Sequence, residues 1–413
     1  MGISVGKVIA RADVAMDEFG HAPSTRMQYR WAWSRFDTFC RARDVVVFSD
    51  EMAVLFLDFV TDEFRAGRFK QWKYKLLRKG VLVLREVAAT GSYTWSVART
   101  AEINDVLDPK VRQVQQRFET WLRGRSLAPA TADLYATISR AVLGWLPQHG
   151  VVDVRKLSAA DVSAAVVFLG SSYRPGSMRT VLTALRVWCR FIETDGGRSG
   201  LWRAVPSHAA RTTRPAAVLT AADVDRLLVT PDTATPTGRR DRAILLLAAR
   251  TGLRPSDIAG LRLGDIDWRA GRITVTQHKT GVLVTLPLLA DVGAAIAGYL
   301  LDGRPADARG DRVFVRAQAP HVALASSDLH YVAARAFARS GVTAHGGAGH
   351  GMRVLRASLA TRMLQADTPL PVIAGTLGHR GIDSAKHYLA ADEERLRACC
   401  LDFTGIAPRV ARP

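Results

Sequence analysis

Residues 377–389 read LGHRGIDSAKHYL and place His379 and Tyr388 nine positions apart. Just before them, MRVLRASLATRML (352–364) has a helix-like pattern and carries Arg353 and Arg356. A phenol with a pKa of about 10 stays protonated at neutral pH and is a weak nucleophile. A tyrosine that attacks a phosphate therefore needs cations around it, to neutralise charge building on the phosphoryl oxygens. Two further candidates lie upstream: Arg254 in ARTGLRPSDIAGLRLGDID (249–267), and Lys279 in RITVTQHKTGVLVTLPL (272–288). Two arginines, a lysine, a histidine and a late tyrosine make a metal-free phosphoryl-transfer set.

These segments, in this order, resemble the catalytic domain of the tyrosine recombinases, the phage-integrase family, over roughly residues 219–396. TGLRPSDIAGLR is similar to the family's first arginine box, which gives Arg254 the role of first catalytic arginine. QHKTGVLVTLPL resembles the β-hairpin lysine segment and gives that role to Lys279. LRASLATRML resembles the second arginine box and assigns Arg356, and LGH with Tyr nine residues on resembles the terminal box and assigns His379 and Tyr388. The chain departs from the family at one point. The histidine expected three residues before the second arginine is Arg353 here, while His350-Gly-Met-Arg353 offers an H-x-x-R shifted by three. Arg356 is favoured because only its register aligns the following Ser-Leu-Ala-Thr.

The 413 residues allow two to three domains, each large enough to bury a core. Fifty-seven Lys+Arg against thirty-eight Asp+Glu leave a net charge of +19, which favours a polyanionic partner. The cysteines, Cys40, Cys189, Cys399 and Cys400, form no C-x-x-C pair, so neither zinc site nor disulfide framework is indicated. No basic start precedes an apolar segment, and no apolar run reaches about 18 residues, so neither export nor membrane insertion is expected. The expected location is the cytoplasm, on the nucleoid.

Taken in order, residues 1 to about 22 show no strong pattern and read as a short arm. STRMQYRWAWSRFDTFCRARDV (24–45) spaces Tyr29, Trp33, Phe36 and Phe39 at near-helical intervals. Ser49 with Asp50 and Glu51 looks like a helix start, and the basic FKQWKYKLLRKG (69–80) leads into another apolar helix. A second block repeats the plan. Tyr135 follows Pro-Ala-Thr as Tyr29 follows Pro-Ser-Thr, Ser158 matches Ser49, and PGSMRTVLTALRVWCRFIETDG (175–196) parallels the stretch from Lys70 to Ala89. Residues 108–207 resemble the family's helical core-binding domain, and residues 1–107 look like a diverged second copy. HAARTTRP (208–215) lies in a basic linker, 208–218, and 219–413 forms the catalytic domain and tail. Thr220 caps its first helix, and strand-like runs flank the His278–Gly281 turn. The fold class expected is mainly α with a small antiparallel β-sheet: helical DNA-binding domains followed by an α+β catalytic domain.

The resemblance implies a site-specific DNA strand-exchange enzyme, of integrase or transposase kind, forming a 3′-phosphotyrosyl link without cofactor or metal. Arg254 and Arg356 would hold the scissile phosphate through forked hydrogen bonds that lysine reproduces poorly. Lys279 would protonate the departing 5′-hydroxyl, His379 would bond a non-bridging oxygen or help position the nucleophile, and Arg353 would add a donor. Asp257, three residues after Arg254, would buttress it. Arg68, Lys70, Lys73, Lys75, Arg78 and Lys79 form a candidate DNA-contacting face, joined by Arg211 and Arg214 in the linker and by His278. The implied partners are double-stranded DNA and three further copies, as a tetramer on paired sites, with room for an accessory directionality protein. A type IB topoisomerase or telomere resolvase shares the residue set but matches the boxes less closely. A catalytically dead DNA-binding regulator is disfavoured because the set is complete.

Overall fold

The computed structural model describes residues 2–93, 109–207, 216–345, 349, 351–381 and 386–389. These fall into two compact units that part between residues 212 and 213.

The first unit opens with α1 (Val5–Glu18), in the stretch that read from sequence as a short arm with no strong pattern. The helix has a physical basis. Ser4 caps the helix, and Val5, Val8, Ala12, Ala15 and Met16 are buried at helical spacing. α2 (Pro23–Arg41) starts on a proline and buries Tyr29, Trp33, Phe36 and Phe39. Asp13 of α1 bonds Arg30 at 2.8 and 2.6 Å and Arg26 at 3.1 Å, which fastens α1 to α2. α3 (Asp50–Arg65) is capped by the Ser49 hydroxyl, and α4 (Gln71–Thr90) stops at Gly91. Trp33 lies in the middle of this core, its indole N–H donating to Gly80 O at 3.0 Å.

A separate hydrophobic cluster holds α5 (Pro109–Arg123), α6 (Pro129–Trp145), α7 (Ala159–Ser172) and α8 (Met178–Thr194). Ser158 and Asp161 form a reciprocal capping box at the start of α7. In each block a proline-started helix, α2 or α6, packs on the block's last long helix, α4 or α8.

The second unit begins with α9 (Ala221–Leu228), capped by Thr220, whose hydroxyl accepts from Asp223 N at 3.1 Å. The buried α10 (Pro236–Thr251) and short α11 (Pro255–Gly260) follow. Next come the strands β1 (Ile266–Asp267), β2 (Arg272–Thr276) and β3 (Leu283–Pro287), a three-stranded antiparallel sheet in the order β1-β2-β3. Its register pairs Ile273 with Leu286 and Val275 with Val284, and all four side chains face the core. The unit closes with α12 (Ala290–Asp302), α13 (Ser326–Ser340), α14 (Met352–Gln365), α15 (Leu370–Thr376) and α16 (Lys386–Leu389). α14 buries side chains all round its axis, as a helix central to a domain does. The Leu219 amide donates to Ser358 Oγ of α14 at 2.8 Å, and Val218 pairs with His345. The start of the unit is thereby stitched to the helix that bears the second arginine. Among the described residues no helix is long and apolar enough to cross a membrane.

Candidate active site

Four helix ends and one hairpin turn converge here. Arg254 precedes α11, where Pro255 occupies the first helical position and allows the chain to turn sharply out of α10. Arg356 projects from α14 and is only 7% exposed. Its Nη1 donates to Gly252 O at 2.6 Å, and its Nη2 lies 2.8 Å from both Leu377 O and His379 Nε2. A guanidinium carries only donors, so His379 Nε2 must be the acceptor and its proton sits on Nδ1. The rings of His379 and Tyr388 are nearly parallel, 12° apart in tilt, with centroids 6.2 Å apart. Tyr388 is buried on α16, which packs against α14, and its hydroxyl comes within hydrogen-bonding reach of Arg356.

Arg254 Nη1 donates to Gln277 Oε1 and lies 4.0 Å from Asp257 Oδ2. Asp257, 2% exposed, also accepts the His278 amide at 2.9 Å, which ties the first arginine's turn to the β2–β3 turn. Burial holds the Arg356 guanidinium below its ordinary pKa, and the Arg254 charge pushes the same way; Tyr388 and Asp257 oppose them. Among the described residues, two arginines thus share one site with Asp257 as the carboxylate beside them. Such an arrangement is stabilised by an incoming anion that can accept from both.

Arg254, Arg356, His379 and Tyr388 are therefore together. Lys279 is exposed on the β2–β3 turn, two residues beyond Gln277, and His278 is exposed beside it. Arg353 is exposed too, and it makes no hydrogen bond or ion pair among the described residues. At the start of α14 Arg353 faces solvent while Arg356, one turn on, faces inward. The rival His350 lies outside the described residues, as do Arg211, Arg214, Cys399 and Cys400. Two other tyrosines of this unit lie away from these groups: Tyr299 is a core residue whose hydroxyl accepts from Val315 N at 3.3 Å, and Tyr331 is on the surface.

The basic face of the first unit also changes. Lys70 and Lys75 are exposed, while Lys73 and Lys79 lie half-buried over the rings of Phe69 and Tyr29, at 3.7 and 5.8 Å. Arg78 is a correction: at 3% exposure it belongs to the interior of α4's packing and leaves the surface set. Arg68 is exposed but grips Glu63 through three hydrogen bonds of 2.6–3.0 Å. Gln277, buried at the hinge of the site, was not singled out from the sequence.

The phage integrase family model matches residues 217–395, the segment that carries Arg254, Lys279, Arg356, His379 and Tyr388. The integrase/recombinase y4rA of Sinorhizobium fredii is 36% identical over 303 residues, which are 72% of this chain and 72% of that protein. The chain belongs to the phage integrase family. Tyrosine recombinase XerC 2 of Ralstonia nicotianae is 28% identical over 295 residues, covering 68% of this chain and 76% of the relative. Among solved structures, XerH recombinase on a palindromic difH substrate matches with TM-score 0.55 and 15% identity, over 84% of this chain and 95% of that one. A lambda integrase tetramer bound to a Holliday junction matches with TM-score 0.52 and 20% identity, over 76% and 86%. At these identities the structural matches speak for the fold, that of the tyrosine recombinases, mostly helical with a three-stranded antiparallel sheet. By descent the chain is a site-specific recombinase of the tyrosine type.

Proposed function

We propose that this tyrosine recombinase serves a mobile element, cleaving and rejoining DNA with Tyr388 as nucleophile. The observation that carries the reading is the buried Arg356, bonded to His379 and flanked by Tyr388 and Arg254. The Tyr388 oxygen gives up its phenol proton to water as it attacks the phosphorus, a 3′-phosphotyrosyl bond forms, and the bond to the 5′-oxygen breaks with a proton from Lys279. Arg254 and Arg356 donate to the non-bridging oxygens as negative charge grows there. His379, once released from Arg356, is free to bond an oxygen of the same phosphate. The phosphotyrosyl bond keeps the energy of the broken phosphodiester, so rejoining needs no nucleotide.

The partner is duplex DNA, bound as a tetramer on two sites. The related XerH recombinase and lambda integrase are seen bound to DNA, the latter as a tetramer, and the net charge of +19 suits such a ligand. The two helical blocks, 1–107 and 108–207, are read as tandem DNA-binding domains, with Lys70, Lys73, Lys75 and Lys79 on the first and His278 on the catalytic turn. The enzyme then works on the nucleoid, and a directionality protein can bias its outcome. The test uses duplex fragments tiled across the DNA that flanks the gene, each nicked to trap the covalent state. Wild type should leave a detergent-stable adduct on one fragment class, and Tyr388→Phe should bind the same fragment without an adduct. An adduct with Tyr388→Phe, or none with wild type on any fragment, refutes the reading.

A further inference from the structure

A glutamine at 1% exposure with every polar group engaged is an unusual tenant for a hairpin turn. Gln277 Oε1 accepts from Arg254 Nη1, and its Nε2 donates to Leu377 O at 3.0 Å. Thr280 Oγ1 is 3.1 Å from the same Oε1 and 3.3 Å from Gly378 O, with one proton to give. The backbone of Gln277 opens and closes the turn, its N–H donating to Val282 O at 2.9 Å and its carbonyl accepting from Gly281 N at 2.8 Å. Leu377 O, which takes the amide's proton, is also the acceptor for Arg356 Nη2. One side chain thus links Arg254, the turn bearing Lys279, and the carbonyl that holds Arg356.

We propose that Gln277 is a positioning residue, the peg that sets the Lys279 turn in register with both arginines. The choice of amide follows from charge. A carboxylate of the same length would neutralise Arg254 beside Asp257 and would repel Leu377 O. An amide satisfies both neighbours and leaves the arginine's charge for the phosphate. The close fit also accounts for the glycine of the LGH segment. A Cβ on Gly378 would lie 2.3–2.4 Å from the Gln277 amide, and the residue sits at φ 61°.

The inference rests on Lys279 as general acid, so the experiment separates the two. Single-turnover cleavage is measured on the flanking-DNA fragment in two forms, ordinary and with sulfur replacing the bridging 5′-oxygen. A thiolate leaves without being protonated, so the sulfur form rescues a misplaced or missing general acid but not a missing phosphate clamp. Gln277→Met should slow ordinary cleavage roughly 10–100-fold, less than the about 10²–10⁴ a general acid supplies. On the sulfur substrate it should come within a few-fold of wild type. Lys279→Ala should behave likewise with a larger loss, and Arg254→Ala should stay slow on both. An unslowed Gln277→Met, or one slowed equally on both substrates, overturns the positioning role. A Lys279→Ala that sulfur fails to rescue overturns the general acid itself. Should Gln277→Met melt early, Thr280→Val carries the same comparison, since it removes a hydroxyl from Oε1 and leaves the amide. A rescued loss of about threefold supports the role, and no loss refutes it.

Discussion

Arg356 and Arg353 are one turn apart on α14, and the structure treats them oppositely. The first is buried and triply bonded, the second faces water. On the proposed chemistry Arg356→Ala should lose about 10²–10³ in cleavage rate, the scale of a lost transition-state donor. Arg356→Lys should recover little of it, because an ammonium cannot reach Gly252 O, Leu377 O and a phosphate together. Arg353→His should keep cleavage within a few-fold of wild type, and a dead Arg353→His enzyme would move the second arginine to 353. Gly378→Ala is a separate case, one of strain. A left-handed residue with a Cβ costs about 1–2 kcal/mol before any clash, so its urea midpoint should fall even with DNA absent.

At the scale of elements, the ion pairs between α1 and α2 make a prediction with a definite sign. The Arg30 guanidinium, helped by Arg26 and opposed by burial, holds the Asp13 carboxyl below the usual range. A depressed acid stabilises the fold above its unfolded pKa of about 3.9 and loses that contribution as pH falls through the lower folded value. Hydrogen-exchange protection of α1 should therefore drop as the pH falls below about 4, and more gently in Asp13→Asn. If both proteins fall alike, the pair is ornamental. These same helices mark where the sequence could be read and where it could not. Ser49, Ser158 and Thr220 were legible as caps because a hydroxyl before an apolar run has one cheap use. α1 was missed because two of its five buried side chains are Ala12 and Ala15, and alanine leaves little trace in a hydrophobic pattern. Arg78 was misread because it stands in a run of cations, and only the turn of α4 reveals that its face is shared with Leu77 and Val81. Arg254, Arg356, His379 and Tyr388 were nominated by resemblance of their segments to the family's boxes, while Gln277 carries no mark at all. An amide in a turn looks like solvent filler until the LGH segment, 100 residues later, is seen to close over it.

For the whole molecule, the measurable quantity is the number of phosphates neutralised. The slope of log K against log salt changes by about −0.9 for each contact. Removing residues 1–107, whose hydrophobic cluster is distinct from that of the second block, should leave a folded remainder with a shallower slope. An unchanged slope would make the first block a surface for protein.

The two carbonyls that seat Arg356 share a property of position. Gly252 terminates α10 and Leu377 terminates α15. Peptide dipoles aligned along a helix leave a fractional negative charge at that end. Arg356 is thus held between two negative poles made of backbone alone, which no side-chain substitution elsewhere can remove. They give the buried cation a counter-charge in the absence of nucleic acid, too weak and too dispersed to compete with a phosphate. The recombinase can accordingly be made, folded and kept at rest with this buried charge already aimed, and meeting DNA replaces a partial charge with a whole one.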